Sequence, residues 1–317
     1  MNVLHPTRTT PGAANRSWFL WAQTHLQQVR EQLTQEGALW LRGLQDFSPD
    51  LAQRLVELVG GGPLMDNVFW STPRSRITDK TFTATEYPAR AIIPLHSEMS
   101  YRPCYPRLLC FHALQCADSG GQTSVADLRA VSVVLDEVTS AFHHRGVCYV
   151  RVFHEGMDIP LSTAFGSDDL DEIARRAREQ GMELTPRSDG STRLTHQGRG
   201  ALLDTDGIPL WFNQANLLHA ARLPAPERHH LTVLFGADDL PRQALFADGT
   251  PIPDVTIHTV NDVFAQYAQE IAWQPGDVLL VDNQRYAHGR LPFTGHRRLH
   301  VAMGLPCTDD HRTVLFT

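Results

Sequence analysis

The stretch "PGDVLLVDNQRYAHGRLPFTGHRRLHVAM", residues 275–303, decides how this chain is read. Its parts "PGDVLLVDNQRYAHGR" and "RRLHVAMGL" are strand-like, with turn residues between them. His288 stands just past a strand that looks buried, and Arg298 opens another strand ten residues later. Upstream, "AIIPLHSEMSYRPCYP" (91–106) sets His96 and Glu98 two apart, between an apolar run and a loop broken by proline. On a strand, positions i and i+2 share a face, so imidazole and carboxylate converge. That suits a metal, an acid/base pair or a hydrogen bond. With 16 His and 35 acidic residues in the chain, roughly two such triplets arise by chance, so the triplet decides nothing alone.

Working outward, residues 17–35 carry apolar side chains at helical spacing (Phe19, Leu20, Leu26, Val29, Leu33) and predict a helix. "ALWLRGL" (38–44) reads as a short strand. "SPDLAQRLVELVGGG" reads as a helix with Ser48 as N-cap, Pro49 first and glycines past its end. "AIIPLHSEM" and "RLLCFHALQCA" are strand-like, as are "GVCYVRVF" and the runs within "GALLDTDGIPLWFNQ". Helices are expected at 128–142 with Asp127 as N-cap, within "SDDLDEIARRAREQG", and at 260–272. Residues 1–16, polar with Pro and Gly, are expected to be loose. Strands early and late with helices between do not read as repeating βαβ units. They predict one antiparallel β-core with helices packed on it, mainly β in an α+β class, as a single domain over 1–317.

Bulk properties narrow the function. A chain of 317 residues with 42% apolar content supports a sizeable core. The net charge of −7 argues against a nucleic-acid footprint. Five cysteines, an odd number with no CxxC, argue against a disulfide framework and a cysteine zinc site. Cys110, His112, Leu114 and Cys116 alternate onto one strand face, read as packing. The N-terminus lacks an apolar signal region, and no run reaches the roughly 18 apolar residues of a membrane span. The expectation is a cytoplasmic protein.

Two ligands from one strand and a third from a late strand compose a 2-His-1-carboxylate facial set, which leaves positions open on Fe(II). A 2-oxo acid would chelate that iron, and its remote carboxylate would need a planar two-pronged cation such as Arg. "SGGQTS" (119–124) adds a tight Gly120-Gly121 turn and the Thr123 hydroxyl.

"STPRSR", "TATEYPA", "PLHSEMSY", "GGQTSVADLRAV", "LWFNQ" and "DNQRYAHGRLPFTGHRRLHVAM" follow in this order over about residues 70–304. Together they resemble the taurine dioxygenase superfamily of Fe(II)/2-oxoglutarate-dependent oxygenases, in its clavaminate-synthase-like and syringomycin-type aspartyl hydroxylase branch. The resemblance implies a double-stranded β-helix (jelly-roll) core. It implies His96, Glu98 and His288 as iron ligands, with Arg298 and Thr123 on the far carboxylate of 2-oxoglutarate. Ala302 stands where taurine dioxygenase carries its substrate arginine, which argues against a sulfonate substrate. The carboxylate at Glu98 argues against a halogenase.

The implied reaction uses O2 to hydroxylate an unactivated C–H bond while 2-oxoglutarate becomes succinate. The implied substrate is a small amino acid or amino-acid-derived molecule of natural-product biosynthesis, free or presented by a carrier protein. Desaturation, epoxidation or cyclisation are alternative outcomes. A zinc hydrolase and a non-catalytic ligand-binding barrel are more distant readings. Tyr101, Arg74 and Asn213 are the substrate-side candidates.

Overall fold

Strands covered on both faces set the architecture. Tyr105–Gln115 is buried over most of its length and Val278–Asp282 throughout, so other layers lie on each side. Both belong to a six-stranded sheet ordered Asn2–Leu4, Ala38–Leu41, Val278–Asp282, Tyr105–Gln115, Arg298–Cys307, Phe82–Thr83. Only the first pairing is parallel. Alternation divides its side chains. Leu108, Cys110, Leu280 and Ala302 pack with helices Trp18–Thr24, Leu26–Glu36 and Leu51–Gly60. Leu109, Phe111, Leu279, Val301 and Met303 turn to the opposite core. That core is shared by Val125 and Ala287 of a four-stranded sheet ordered Gln269–Ile271, Thr123–Asp127, Tyr286–Arg290, Ile93–His96. The two sheets form the expected double-stranded β-helix with flanking helices. A third sheet, Arg242–Phe246, Val147–Phe153, Thr192–Gly198, Met182–Pro186, is antiparallel throughout.

In this computed structural model the described residues are 2–4, 17–44, 46–65, 74–85, 87–157, 159–308, 312 and 315–316. Within the expected loose segment 1–16, Asn2–Leu4 is instead a strand, and the rest lies outside the described residues. All five cysteines are free. The face carrying Cys110 and His112 is a packing face: Cys110 lies in the helix-side core, and the His112 ring bonds the Asp46 carbonyl at 2.6 Å. Among the described residues no helix is long and apolar enough to cross a membrane.

The helices differ from expectation at their ends, where local geometry outranks periodicity. The predicted 17–35 helix breaks at His25, whose ring bonds the Trp21 carbonyl. Ser48 is not an N-cap: its hydroxyl donates to Asp46, and the helix starts at Leu51 after Asp50. Asp127 does cap, accepting from the Arg129 N–H at 2.9 Å, but its helix breaks at Leu135. The helix expected at 260–272 runs Asp254–Tyr267, starting directly after Pro253, and the following Gln269–Ile271 is a strand.

Register places the site. His288 sits directly across from His96 on neighbouring antiparallel strands, and the pairing then shifts before Arg290. Gly289 permits this close approach, because a Cβ there would lie 2.6 Å from the Ile93 carbonyl oxygen.

Candidate active site

His96 closes the strand Ile93–His96, and Glu98 lies beyond it in a turn. Plain strand alternation therefore does not bring the two together. Met99, with φ 52, bends the chain immediately after Glu98. Three buried amide side chains fix the segment by its backbone. Asn283 accepts from the Glu98 N–H at 2.7 Å and donates to the Glu98 and Pro106 carbonyls at 2.9 and 2.8 Å. Gln214 donates to the Ser97 carbonyl at 2.9 Å, and Asn216 donates to that of Leu95 at 3.0 Å. Asn283→Ala is expected to weaken metal binding about 10–100-fold, the usual cost of losing an outer partner. A metal titration compared with thermal melting checks this: melting alone would fall if the role were only structural.

The ligand atoms of His96, Glu98 and His288 lie within 4.8 Å of one another, and all three residues are buried. The donor set fits Fe(II). His96 Nδ1 lies 2.8 Å from the Pro94 carbonyl, so a proton there makes that bond and leaves Nε2 for a metal. Burial, then the neighbouring His288 ring, pushes the His96 pKa down to about 4, favouring the neutral imidazole a metal needs. Burial alone would raise the Glu98 pKa. The Arg74 guanidinium at 2.8 Å and the His288 ring outweigh it and hold that carboxyl well below the usual range. Two imidazoles and one carboxylate on a buried point are an iron(II) set rather than a soft thiolate one.

A cavity of about 430 Å³ runs from His96 and His288 to Thr123 and Arg297. Here the structure corrects the sequence reading. Arg298 is exposed, whereas Arg297 lines the cavity. Leu299 lines the same cavity, and Val301 and Met303 face the same core. Arg297 stands just before the strand Arg298–Cys307, whose pairing shifts between Arg298 and Leu299, and its own hydrogen bonds turn it inward. Arg297 donates from Nε to the Gly121 carbonyl at 2.8 Å and from Nη2 to Thr123 Oγ1 at 3.2 Å. The Gly120-Gly121 turn is obligatory: both residues have positive φ, and a Cβ on Gly120 would lie 2.2 Å from the Pro292 carbonyl oxygen. Burial, then nearby Arg290, lowers the Arg297 pKa to about 10, so it stays cationic at neutral pH. Trp273 Nε1 also donates to Thr123 Oγ1, at 2.9 Å. With two donors on its oxygen, the Thr123 hydroxyl has its own proton left to donate. A cation beside an outward O–H is a carboxylate receptor. Arg290 donates to the carbonyls of Tyr87, Pro88 and Ala91, fixing the loop beside the cavity.

A second cleft, of about 560 Å³, is lined by His96 and Glu98 and is reached by Gln214 and Arg222. Arg74 borders both spaces, but its guanidinium is engaged by Glu98 and by Thr85 Oγ1 at 3.1 Å. Ser71–Pro73 and Glu86, within the two motifs that flank this region, lie outside the described residues. Asn213 does not reach the cleft. It is fully buried, donates to the Gly200 carbonyl at 2.7 Å and accepts from the Ala215 N–H at 2.9 Å. An Asn that caps the next turn binds its own backbone. Tyr101 is likewise away from the metal-facing cleft, packed edge-on to Tyr149 and His196. Sequence reading missed Arg297, Trp273, Gln214 and Asn216. Only Arg297 left a signal, the alternation of Leu299, Val301 and Met303 behind it.

Known proteins resemble this chain over most of its length. The dapdiamide synthesis protein DdaC of Enterobacter agglomerans is 33% identical over 281 residues, covering 87% of this chain and 84% of that protein. A clavaminate synthase-like protein of Arabidopsis thaliana is 28% identical over 283 residues, covering 84% and 81%. The solved structure of asparagine oxygenase in complex with Fe(II), 2S,3S-3-hydroxyasparagine and succinate shares the fold. Its TM-score is 0.52 at 15% identity, over 96% of this chain and 88% of that one. The taurine catabolism dioxygenase TauD, TfdA family matches residues 4–303. The chain belongs to that family and is a non-haem dioxygenase using Fe(II), 2-oxoglutarate and O2.

Proposed function

We propose that His96, Glu98 and His288 hold the iron, that Arg297 and Thr123 hold the far carboxylate of 2-oxoglutarate, and that the enzyme hydroxylates an amino acid or amino-acid derivative in natural-product biosynthesis. The observation that carries this reading is the single buried point shared by two imidazoles and a carboxylate, with a cationic receptor at the other end of the adjoining cavity. Fe(II) and 2-oxoglutarate, when bound with O2, supply an oxidant strong enough for an unactivated C–H bond, and 2-oxoglutarate leaves as succinate and CO2. The chain's own part is placement. Asn283, Gln214 and Asn216 fix the ligand segment, Arg74 holds the Glu98 carboxylate ionised, and Arg297 with Thr123 sets the cosubstrate's direction.

A zinc hydrolase would leave the Arg297–Thr123 receptor without a task. The DdaC relative, named for dapdiamide synthesis, supports a natural-product setting. The test is succinate formation from 2-oxoglutarate under air with Fe(II), against a panel of free amino acids, dipeptides and aminoacyl thioesters. At least one class should raise succinate well above the substrate-free rate, with one hydroxylated product per succinate. No stimulation by any class would count against the substrate reading.

A further inference from the structure

The metal-facing cleft does not end at the metal. Leu218 and Arg242 line it and also line a second, adjoining chamber of about 420 Å³. That chamber is walled by Tyr101, Tyr149, Leu194 and His196. The His196 ring lies face to face with Tyr149, ring centres 5.0 Å apart, and its pKa is pushed down to about 4 by burial, so it is uncharged at neutral pH. With Val150, Arg151 and Arg242 completing the lining, the chamber offers an aromatic, mainly apolar wall edged by two arginines. Arg222 stands on the metal-facing cleft beside Leu218, at the end of the short helix Ala220–Arg222. The residue is half-buried, and its guanidinium makes no hydrogen bond or ion pair with any described residue. Among the described residues the metal-facing cleft has three arginines and one carboxylate, Glu98, which Arg74 already engages.

We infer that the substrate is an extended carboxylate, an amino acid linked through an acyl or peptide bond to a further apolar group. Its free carboxylate is held by Arg222 on the metal-facing cleft, and its apolar group occupies the chamber of Tyr101, Tyr149 and His196. This rests on the oxygenase reading above and adds the substrate class. A partly buried arginine with unused donors is stabilised by an anion, and two neighbouring spaces that share Leu218 and Arg242 favour a ligand longer than a free amino acid. A carboxyl group tied up as a carrier thioester would leave Arg222 without its anion, so the free acid is the form recognised.

The experiment is anaerobic. The protein is loaded with Fe(II) and 2-oxoglutarate, and binding is read by calorimetry and by the change in the visible chelate band. Probes are N-acetyl amino acids and dipeptides with apolar side chains, each as free acid, carboxamide and pantetheine thioester, beside the free amino acids. The best extended acid should bind about tenfold or more tightly than its carboxamide, its thioester and any free amino acid. Arg222→Gln should remove the preference for acid over carboxamide. Leu194→Phe, which narrows the second chamber, should weaken the extended acids more than the free amino acids. The inference is overturned if no extended acid binds better than the free amino acids, if carboxamide or thioester binds as tightly as acid, or if Arg222→Gln keeps the preference. A missing chelate band before any probe is added would instead defeat the iron and 2-oxoglutarate reading.

Discussion

Replacing His288 by Ala is expected to abolish the weak visible charge-transfer band that Fe(II) and 2-oxoglutarate give together under anaerobic conditions, and with it all measurable succinate formation. In the proposed iron set His288 is one of three donors on a buried point, and the other two would not close the set without it. Loss of a mere outer partner costs about 10–100-fold in metal affinity, and loss of a ligand exceeds that. The change also alters the charges around Glu98, because the His288 ring, with Arg74, holds that carboxyl ionised. Thermal melting separates loss of metal from loss of fold. His144→Ala, on the exposed side of helix Asp136–Arg145, serves as the control and should keep the band. A band that survives His288→Ala in a folded protein would remove His288 from the ligand set.

Much of this centre is legible in the sequence. Residue chemistry and family resemblance point to His96, Glu98 and His288, and the three do meet. Strand alternation, however, is not what brings them together. Glu98 does not share a strand face with His96; it is held in a turn by Asn283, Gln214 and Asn216, which come from distant parts of the sequence. Such amides leave no periodic trace, because each acts through one or two backbone bonds and not through a repeating apolar face. The jelly-roll core is legible in its central strands for the opposite reason: double burial writes continuous apolar runs such as "VLLV". The helix ends are less so. The breaks at His25 and Leu135 interrupt stretches whose apolar spacing continues across them. Asn213 stands away from the cleft because an Asn fits a binding site and a buried turn equally well, and Tyr101 lines the adjoining chamber and not the metal-facing cleft.

Arg297→Ala should raise the 2-oxoglutarate concentration needed for half-maximal turnover at least roughly thirtyfold, while Arg298→Ala should change it by no more than about twofold. The first figure follows from the roughly 2–5 kcal/mol lost when one side of a buried charge pair is truncated. The second is what an exposed side chain contributes. The two residues are neighbours with the same side chain, so composition and net charge are matched between the variants, and only the direction of the side chain differs. That direction is fixed locally: Arg297 stands just before the strand Arg298–Cys307 and is turned to the cavity wall by its bonds to the Gly121 carbonyl and the Thr123 hydroxyl, while Arg298 faces solvent. Arg297 also holds the Gly121 carbonyl, so its loss loosens that turn as well as removing a cation. Arg297→Lys separates the two effects: it keeps the charge but not the planar fork, and should recover part of the 2-oxoglutarate affinity. Iron binding measured without 2-oxoglutarate should be unchanged in all three variants, because none of them alters a metal ligand. If Arg298→Ala proves the damaging change and Arg297→Ala the silent one, Arg297 is not the carboxylate receptor, and the turn that joins it to Gly121 and Thr123 is only structural.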